Sequence, residues 1–266
     1  MPGSGTAWAT TEMTNPIFFG EPDAVRSAGP GSVFVLEGPE AHHAVAVKRL
    51  ARGEQVDIVD GAGRRLTGTV AAAEPSRLEV SVETVTEENE AADTLLLVQA
   101  LAKGGRDEQA IEAATELGVH GVIPWQSERS IVRWRADKAA KGRMKWQAIL
   151  TAAAKQSRRS QIPRAEEMLD TKALARRLAD VDLVLVLHEE ADGALVPAVD
   201  EARRQNGGQP LSIAVVVGPE GGISNAEVDL LRSGGAVAVR LGSHVLRSST
   251  AGPAALAVLN HALGRW

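Results

Sequence analysis

The stretch L-S-I-A-V-V-V-G-P-E-G-G-I-S-N-A-E (Leu211 to Glu227), followed shortly by V-A-V-R-L-G-S-H-V-L-R-S-S-T-A-G-P-A-A (Val237 to Ala255), decides the fold. Ile213 to Val217 is an unbroken apolar run of strand length, rich in β-branched residues, as expected of a strand buried on both faces. It stops at the turn dipeptide Gly218-Pro219. Gly221 and Gly222 follow, and Ser224 with Glu227 forms a capping-box pattern that opens a helix through Val228, Leu230 and Leu231. The same grammar repeats at once. Ala236 to Arg240 reads as a strand, Leu241 to Ser249 as a glycine-bearing polar loop, and Thr250 to Leu263 as an Ala-rich helix. Two such loops at the carboxyl ends of neighbouring parallel strands form the crevice where open α/β sheets bind ligands. Either loop taken alone reads equally as an ordinary connection whose glycines serve only the turn.

Nucleotide fingerprints do not fit these loops. G-P-E-G-G is not G-x-G-x-x-G, no acidic residue near the end of the next strand is placed to hold a ribose, and no G-K-[ST] occurs.

The pair G-P-E-G-G-I-S-x-x-E (Gly218 to Glu227) and L-G-x-x-V-L-R-S-S-T-A (Leu241 to Ala251) resembles the SPOUT superfamily of RNA methyltransferases. It is most similar to the family that methylates N3 of a uridine in 16S ribosomal RNA. Further stretches match in the same order: A-L-A-K-G-G-R-D-E (Ala100 to Glu108), A-T-E-L-G-V (Ala114 to Val119), S-E-R-S (Ser127 to Ser130) and Q-S-x-R-x-x-I-P (Gln156 to Pro163). The resemblance implies an α/β fold: a C-terminal SPOUT-type domain with a parallel sheet and a deep trefoil knot, plus a small N-terminal PUA-like β-barrel. It implies S-adenosylmethionine as cofactor, held by Leu187, His188, Gly218, Pro219, Glu220, Gly222, Leu241, Gly242, Val245, Leu246 and Thr250. It implies 16S ribosomal RNA or the 30S subunit as partner, and a homodimer whose sites are completed across the pair. Two departures stand out. Ser249 occupies a position where the family commonly has an acidic residue, and Ile17-Phe18-Phe19 replaces R-F-F.

The chain has 266 residues, enough for one large or two modest domains, and contains no Cys, so disulfides and thiolate metal sites are excluded. No apolar run reaches membrane-spanning length and no export signal opens the chain, so the expectation is a soluble cytoplasmic protein with no membrane partner and no metal. Net charge is −5, yet Arg129 to Arg164 holds eleven basic residues against one acidic residue, Asp137. That segment is +10 (11 − 1), which leaves −15 for the rest; a polyanion responds to the local patch.

Residues 1–14 read as a flexible extension, 15–86 as the RNA-binding β-rich module and 94–266 as the methyltransferase domain, with Glu87 to Asp93 as connector. In the first module, Val33 to Leu36, Val56 to Val59, Leu66 to Ala72 and Leu78 to Val85 read as strands, Asp60-Gly61 as a hairpin turn, and Pro39 to Leu50 as a helix. The second alternates strand and helix: Thr94 to Ala100, Arg106 to Leu117, Val122 to Trp125, Lys138 to Ser157 with Met144, Ile149 and Ala152 inward, then Leu183 to Leu187. Candidate RNA contacts are His43 and Arg49 in the first module, Arg106, and Arg129, Arg143, Lys145, Arg158 and Arg159 in or beside the basic segment. Trp125 reads as core, and Trp134, among cations, as a candidate base-stacking platform.

Methyl transfer to N3 of uracil requires loss of the N3 proton, which spreads negative charge onto the flanking carbonyl oxygens. A preorganised cation is the expected device, and Arg247 is the candidate catalytic residue; it reads alternatively as a loop cap or a phosphate ligand. His188 and His244 have suitable intrinsic pKa values for a base but equally suit donor orientation. Glu220 suits the donor's amino group, or a local bond to the glycine loop. The competing functional reading is a non-catalytic RNA-binding or ribosome-assembly protein on the same fold.

Overall fold

The computed structural model describes residues 15–88, 93–135 and 137–266. Residues 1–14 and part of the expected connector therefore lie outside the described residues. The chain divides into two compact units, one of residues up to Glu88 together with Arg158–Ser160, the other of the remainder.

The first unit contains β1 (Ile17–Phe19), α1 (Pro22–Ser27), β2 (Val33–Glu37), α2 (Gly38–His42), a π-helical turn (His43–Val47), β3 (Gln55–Val59), β4 (Arg64–Glu74) and β5 (Arg77–Glu87). Its five strands form one sheet in the order β1-β3-β4-β5-β2. β1 runs parallel to β3 and the other pairs are antiparallel. Phe18, Phe34, Leu36, Ile58, Leu66, Leu78 and Val80 fill its core. Gly68 lies so close to β5 that a Cβ there would meet the Ser81 carbonyl oxygen at 2.1 Å, beside an irregularity in the β4–β5 register.

The helix expected from Pro39 to Leu50 is a correction. The α-helix ends at His42 and a π-turn replaces its second half, because the amides of Lys48 and Leu50 bond back to the carbonyls of His43 and Ala44. Arg49 then takes a left-handed backbone, φ 58°, which is uncommon for a bulky residue.

The second unit contains β6 (Thr94–Ala100), α3 (Arg106–Glu116), β7 (Gly121–Gln126), α4 (Asp137–Gln156), β8 (Arg164–Ala165), β9 (Leu169–Asp170), α5 (Thr171–Arg177), β10 (Leu183–Leu187), β11 (Gly193–Ala194), α6 (Leu195–Gln205), β12 (Ser212–Val217), α7 (Asn225–Ser233), β13 (Val237–Arg240) and α8 (Ser248–Ala262). The sheet order is β11-β13-β10-β12-β6-β7-β8, with β9 also on β7, and every pairing is parallel. Alternate residues of each strand feed opposite faces. Leu95, Leu97, Leu185, Ile213 and Val215 join a core with Ile111, Trp146, Leu150, Leu256 and Leu259 of α3, α4 and α8. Val98, Val184, Val186, Ala214 and Val216 join one with Leu174, Val228 and Leu231 of α5 and α7. Burial on both faces explains the continuous apolar strands.

The inward stripe of α4 is Trp146, Leu150, Ala153 and Ala154, whereas Met144 is 61% exposed and Ala152 is also exposed. Spacing by four, seven and eight from Trp146 defines the buried stripe, and Ile149 packs at its margin. Trp125 is fully buried. Trp134 meets Trp146 edge-on with centroids 5.4 Å apart, and its ring lies 2.6 Å from where a Cβ of Gly142 would sit. That indole is therefore packed on α4, which leaves little of it for stacking a base.

Candidate active site

Three loops carry the proposed cofactor residues, and strand order brings them together. β10 lies between β12 and β13, with Val186 opposite Val216 and Leu187 opposite Val239. Leu187 and His188 leave the central strand, Gly218 to Gly222 leave one neighbour and Leu241 to Leu246 leave the other, all at the carboxyl edge. The chain crosses over β10 between β12 and β13, so this edge is a topological switch point, where α/β sheets hold ligands. The His188 amide donates to the Val239 carbonyl at 3.0 Å, and His188 Nδ1 accepts from the Glu190 amide at 3.2 Å.

The glycine loop is shaped by close approach. A Cβ on Gly218 would stand 2.6 Å from Ile223 Cγ1, and Gly222 has φ 73°, a left-handed conformation suited to glycine. The Gly222 amide closes a turn onto the Pro219 carbonyl at 2.9 Å. The capping box is present: Ser224 Oγ receives the Glu227 amide and the Glu227 carboxylate receives the Ser224 amide. Glu220 Oε1 accepts from Arg106 Nη1 at 2.9 Å, so Arg106, expected to face RNA, also holds the glycine loop.

The third loop is open. Gly242 to Arg247 are exposed, Val245 by 76%, and Arg247 is the N-cap residue of α8 without a side-chain capping bond. Thr250 is exposed in the first turn of α8, and its amide donates to the Arg247 carbonyl at 2.8 Å. Gly252 brings α8 against the sheet, since a Cβ there would meet Leu97 Cδ1 at 2.8 Å. A concavity of about 400 Å³ opens on the β11 side of this loop, lined by Asp192, Gly193, Ala194, Arg240, Leu241, Gly242 and Ser243; of the expected cofactor residues its lining includes Leu241 and Gly242, not the glycine loop.

The residues of the three loops fit a polar, partly apolar ligand such as S-adenosylmethionine. The glycines bare backbone amides and carbonyls, and Leu187, Leu241 and Leu246 offer apolar surface. Two buried polar atoms at this edge, Gln99 Oε1 at the end of β6 and Ser248 Oγ at the start of α8, have no hydrogen-bond partner among the described residues. Gln99 pairs in register with Val217. Both residues were missed in the sequence, where a lone glutamine in an apolar strand and a serine inside a motif carry no local signal.

The candidate RNA residues occupy separate places. In the first unit, His43 stands edge-on to Phe18 at 6.0 Å, and Arg49 is exposed on its left-handed turn. Arg158 likewise has φ 57°, and Arg158 and Arg159 belong to that unit. In the second, Lys145 pairs with Glu108, Arg143 Nε lies 3.2 Å from Glu167 Oε1, and Arg129 Nη1 donates to the Gly221 carbonyl at 3.1 Å. Exposed pairs of this kind are weak and exchange readily for phosphate. His120 accepts the Leu95 amide on Nδ1 at 3.0 Å.

Comparison with known proteins defines the class. A model for an RNA methyltransferase domain matches residues 88–260, and one for an RNA methyltransferase PUA domain matches 36–83. The ribosomal RNA small subunit methyltransferase E of Mycobacterium bovis is 40% identical over 240 residues, 89% of each chain. That of Bacillus subtilis is 32% identical, covering 86% of this chain and 90% of its own. The crystal structure of the Neisseria gonorrhoeae enzyme of that name, bound to S-adenosyl methionine, superposes with a TM-score of 0.76 at 26% identity, over 93% of this chain and 98% of its own. The chain belongs to the ribosomal RNA small subunit methyltransferase E family.

Proposed function

We propose that the chain transfers a methyl group from S-adenosylmethionine to N3 of a uridine in 16S ribosomal RNA. The observation that carries this reading is the meeting of the two signature loops with the end of β10 at one switch point of the parallel sheet. The cofactor supplies an electrophilic methyl on a sulfonium. The chain's residues supply position, which accounts for several kcal/mol of such a barrier.

Backbone of Gly218, Pro219 and Gly222, with Leu187, His188, Leu241, Gly242, Val245, Leu246 and Thr250, holds the donor, and Glu220, oriented by Arg106, receives its amino group. Arg247 extends from the start of α8 into solvent and offers its guanidinium to the uracil oxygens as N3 loses its proton. Residues 15–86 present RNA through His43 and Arg49, and 94–266 form the methyltransferase domain, with Arg129, Arg143 and Lys145 on phosphate; Arg158 and Arg159 are further RNA contacts. The chain crosses β10 and returns along α8 to β12 and β6, a path that supports the knotted connection of the SPOUT fold. Exposed Val245, Leu246, Val258 and Trp266, on and beside α8, support a homodimer through this helix. A ribosomal RNA substrate supports a cytoplasmic site of action; among the described residues no helix is long and apolar enough to cross a membrane.

Ser249, replacing an acidic residue of the resembled family, favours the second reading, an RNA-binding protein without activity. Transfer of labelled methyl to 16S RNA separates the two. Arg247→Ala is expected to depress that transfer far more than cofactor affinity, and equal losses would make Arg247 only a binding residue.

A further inference from the structure

Glu227 is a helix-capping residue with more bonds than a cap requires. It is 5% exposed, and Oε2 completes the capping box by accepting the Ser224 amide at 3.2 Å. Oε1 is turned elsewhere: it accepts the Glu128 amide at 2.8 Å and the Thr171 hydroxyl at 2.6 Å. Glu128 lies 99 residues away in the S-E-R-S loop after β7, and Thr171 opens α5. Trp125 Nε1, from the end of β7, donates to Thr171 Oγ1 at 3.2 Å. A buried carboxylate with this many donors is expensive to disturb, because each lost bond leaves a desolvated polar group.

The same two loops are joined again nearby. Ser224 Oγ donates to Glu128 Oε2 at 2.7 Å, and Arg129 Nη1 donates to the Gly221 carbonyl at 3.1 Å. Gly221 is bare because Arg129 runs against it: a Cβ there would lie 3.2 Å from Arg129 Cβ and 3.4 Å from the Arg129 carbonyl oxygen. Arg133 folds back to donate to the Glu128 carbonyl at 2.6 Å. The glycine loop and the first turn of the basic segment thus form one bonded seam, although β6 separates their strands in the sheet.

We propose that Glu227, acting through Glu128, is a positioning residue that couples the cofactor loop to the RNA-facing basic segment, so that filling either side raises the affinity of the other. This rests on the cofactor and RNA reading given above. The effect is reciprocal by linkage, since both ligands bias one shared arrangement of the seam.

The test is a binding cycle on the full chain with S-adenosylhomocysteine, which cannot donate a methyl, and a 16S ribosomal RNA transcript. Each affinity is measured alone and with the other ligand saturating, for wild type, Glu227→Ala, Glu227→Gln and Glu128→Ala. Wild type is expected to show mutual tightening on the order of fivefold or more. Glu227→Ala should bring that factor towards one, and Glu227→Gln, which keeps an oxygen for Glu128 and Thr171, should restore part of it. Glu128→Ala alters an exposed side chain, so it tests the seam if Glu227→Ala fails to fold; it should at least halve the factor. Independent binding in wild type, or full coupling in all folded variants, overturns the proposal while leaving the cofactor reading intact. Absence of S-adenosylhomocysteine binding in wild type overturns both.

Discussion

Arg106 Nη1 lies 2.9 Å from Glu220 Oε1, so a cation at the start of α3 holds the acid of the G-P-E-G-G loop. The pair is partly exposed, and its contribution to folding is about 0–1 kcal/mol. Its value is orientation. Arg106→Ala is expected to leave thermal stability nearly unchanged while weakening cofactor binding several-fold, as read by calorimetry. A melting temperature that falls steeply with cofactor affinity untouched would show the pair to be structural.

The space behind the glycine loop makes a separate prediction. Gly218→Ala sets a methyl 2.6 Å from Ile223 Cγ1, and Ile223 is buried in the core beneath the loop. Overpacking of this kind costs about 1–3 kcal/mol, and the loop is the element free to move. Cofactor affinity should drop by at least about tenfold with the far-ultraviolet circular dichroism spectrum unchanged. Unaltered affinity would show that Gly218 does not shape the ligand site.

Asp107 sets a pH dependence. It is buried near the N-terminus of α3, and burial raises its carboxyl pKa, against the lowering by the Ala102 and Glu108 amides. A carboxyl whose pKa is raised on folding destabilises where it must ionise: the penalty is absent below the ordinary aspartate value, about 3.9, and complete above the raised folded value. Asp107→Asn should therefore gain stability relative to wild type as pH rises through that window. Denaturant melts at pH 3.5 and pH 7 measure the difference, and a variant that loses stability relative to wild type between pH 3.5 and pH 7 would contradict the assignment.

Much of this architecture is legible in the chain itself because parallel strands buried on both faces read as continuous apolar runs. Thr94–Ala100 and Leu183–Leu187 have the expected limits, and the helix opened by Ser224 carries its capping box. Short elements whose stability is tertiary are not legible, namely α5 and the small strands β8, β9 and β11, and the eleven-residue α6 lacks a start signal because Ala194 at its N-cap makes no side-chain capping bond. Pro39 to Leu50 misleads because a helical composition hides the π-turn that Arg49 terminates. In the site, motif residues could be named, but their bonds could not. Nothing local in Glu227 indicates that its second oxygen reaches Glu128 and Thr171, and nothing in Arg106 indicates Glu220.

Nucleoside mass spectrometry of 16S ribosomal RNA, after small subunits that lack the modification are incubated with this chain and S-adenosylmethionine, decides whether the chain is a uracil-N3 methyltransferase. The expected product is 3-methyluridine at a single position, dependent on the cofactor and lost in Arg247→Ala. No new methylated nucleoside, or a methyl on another base or on ribose, would contradict it.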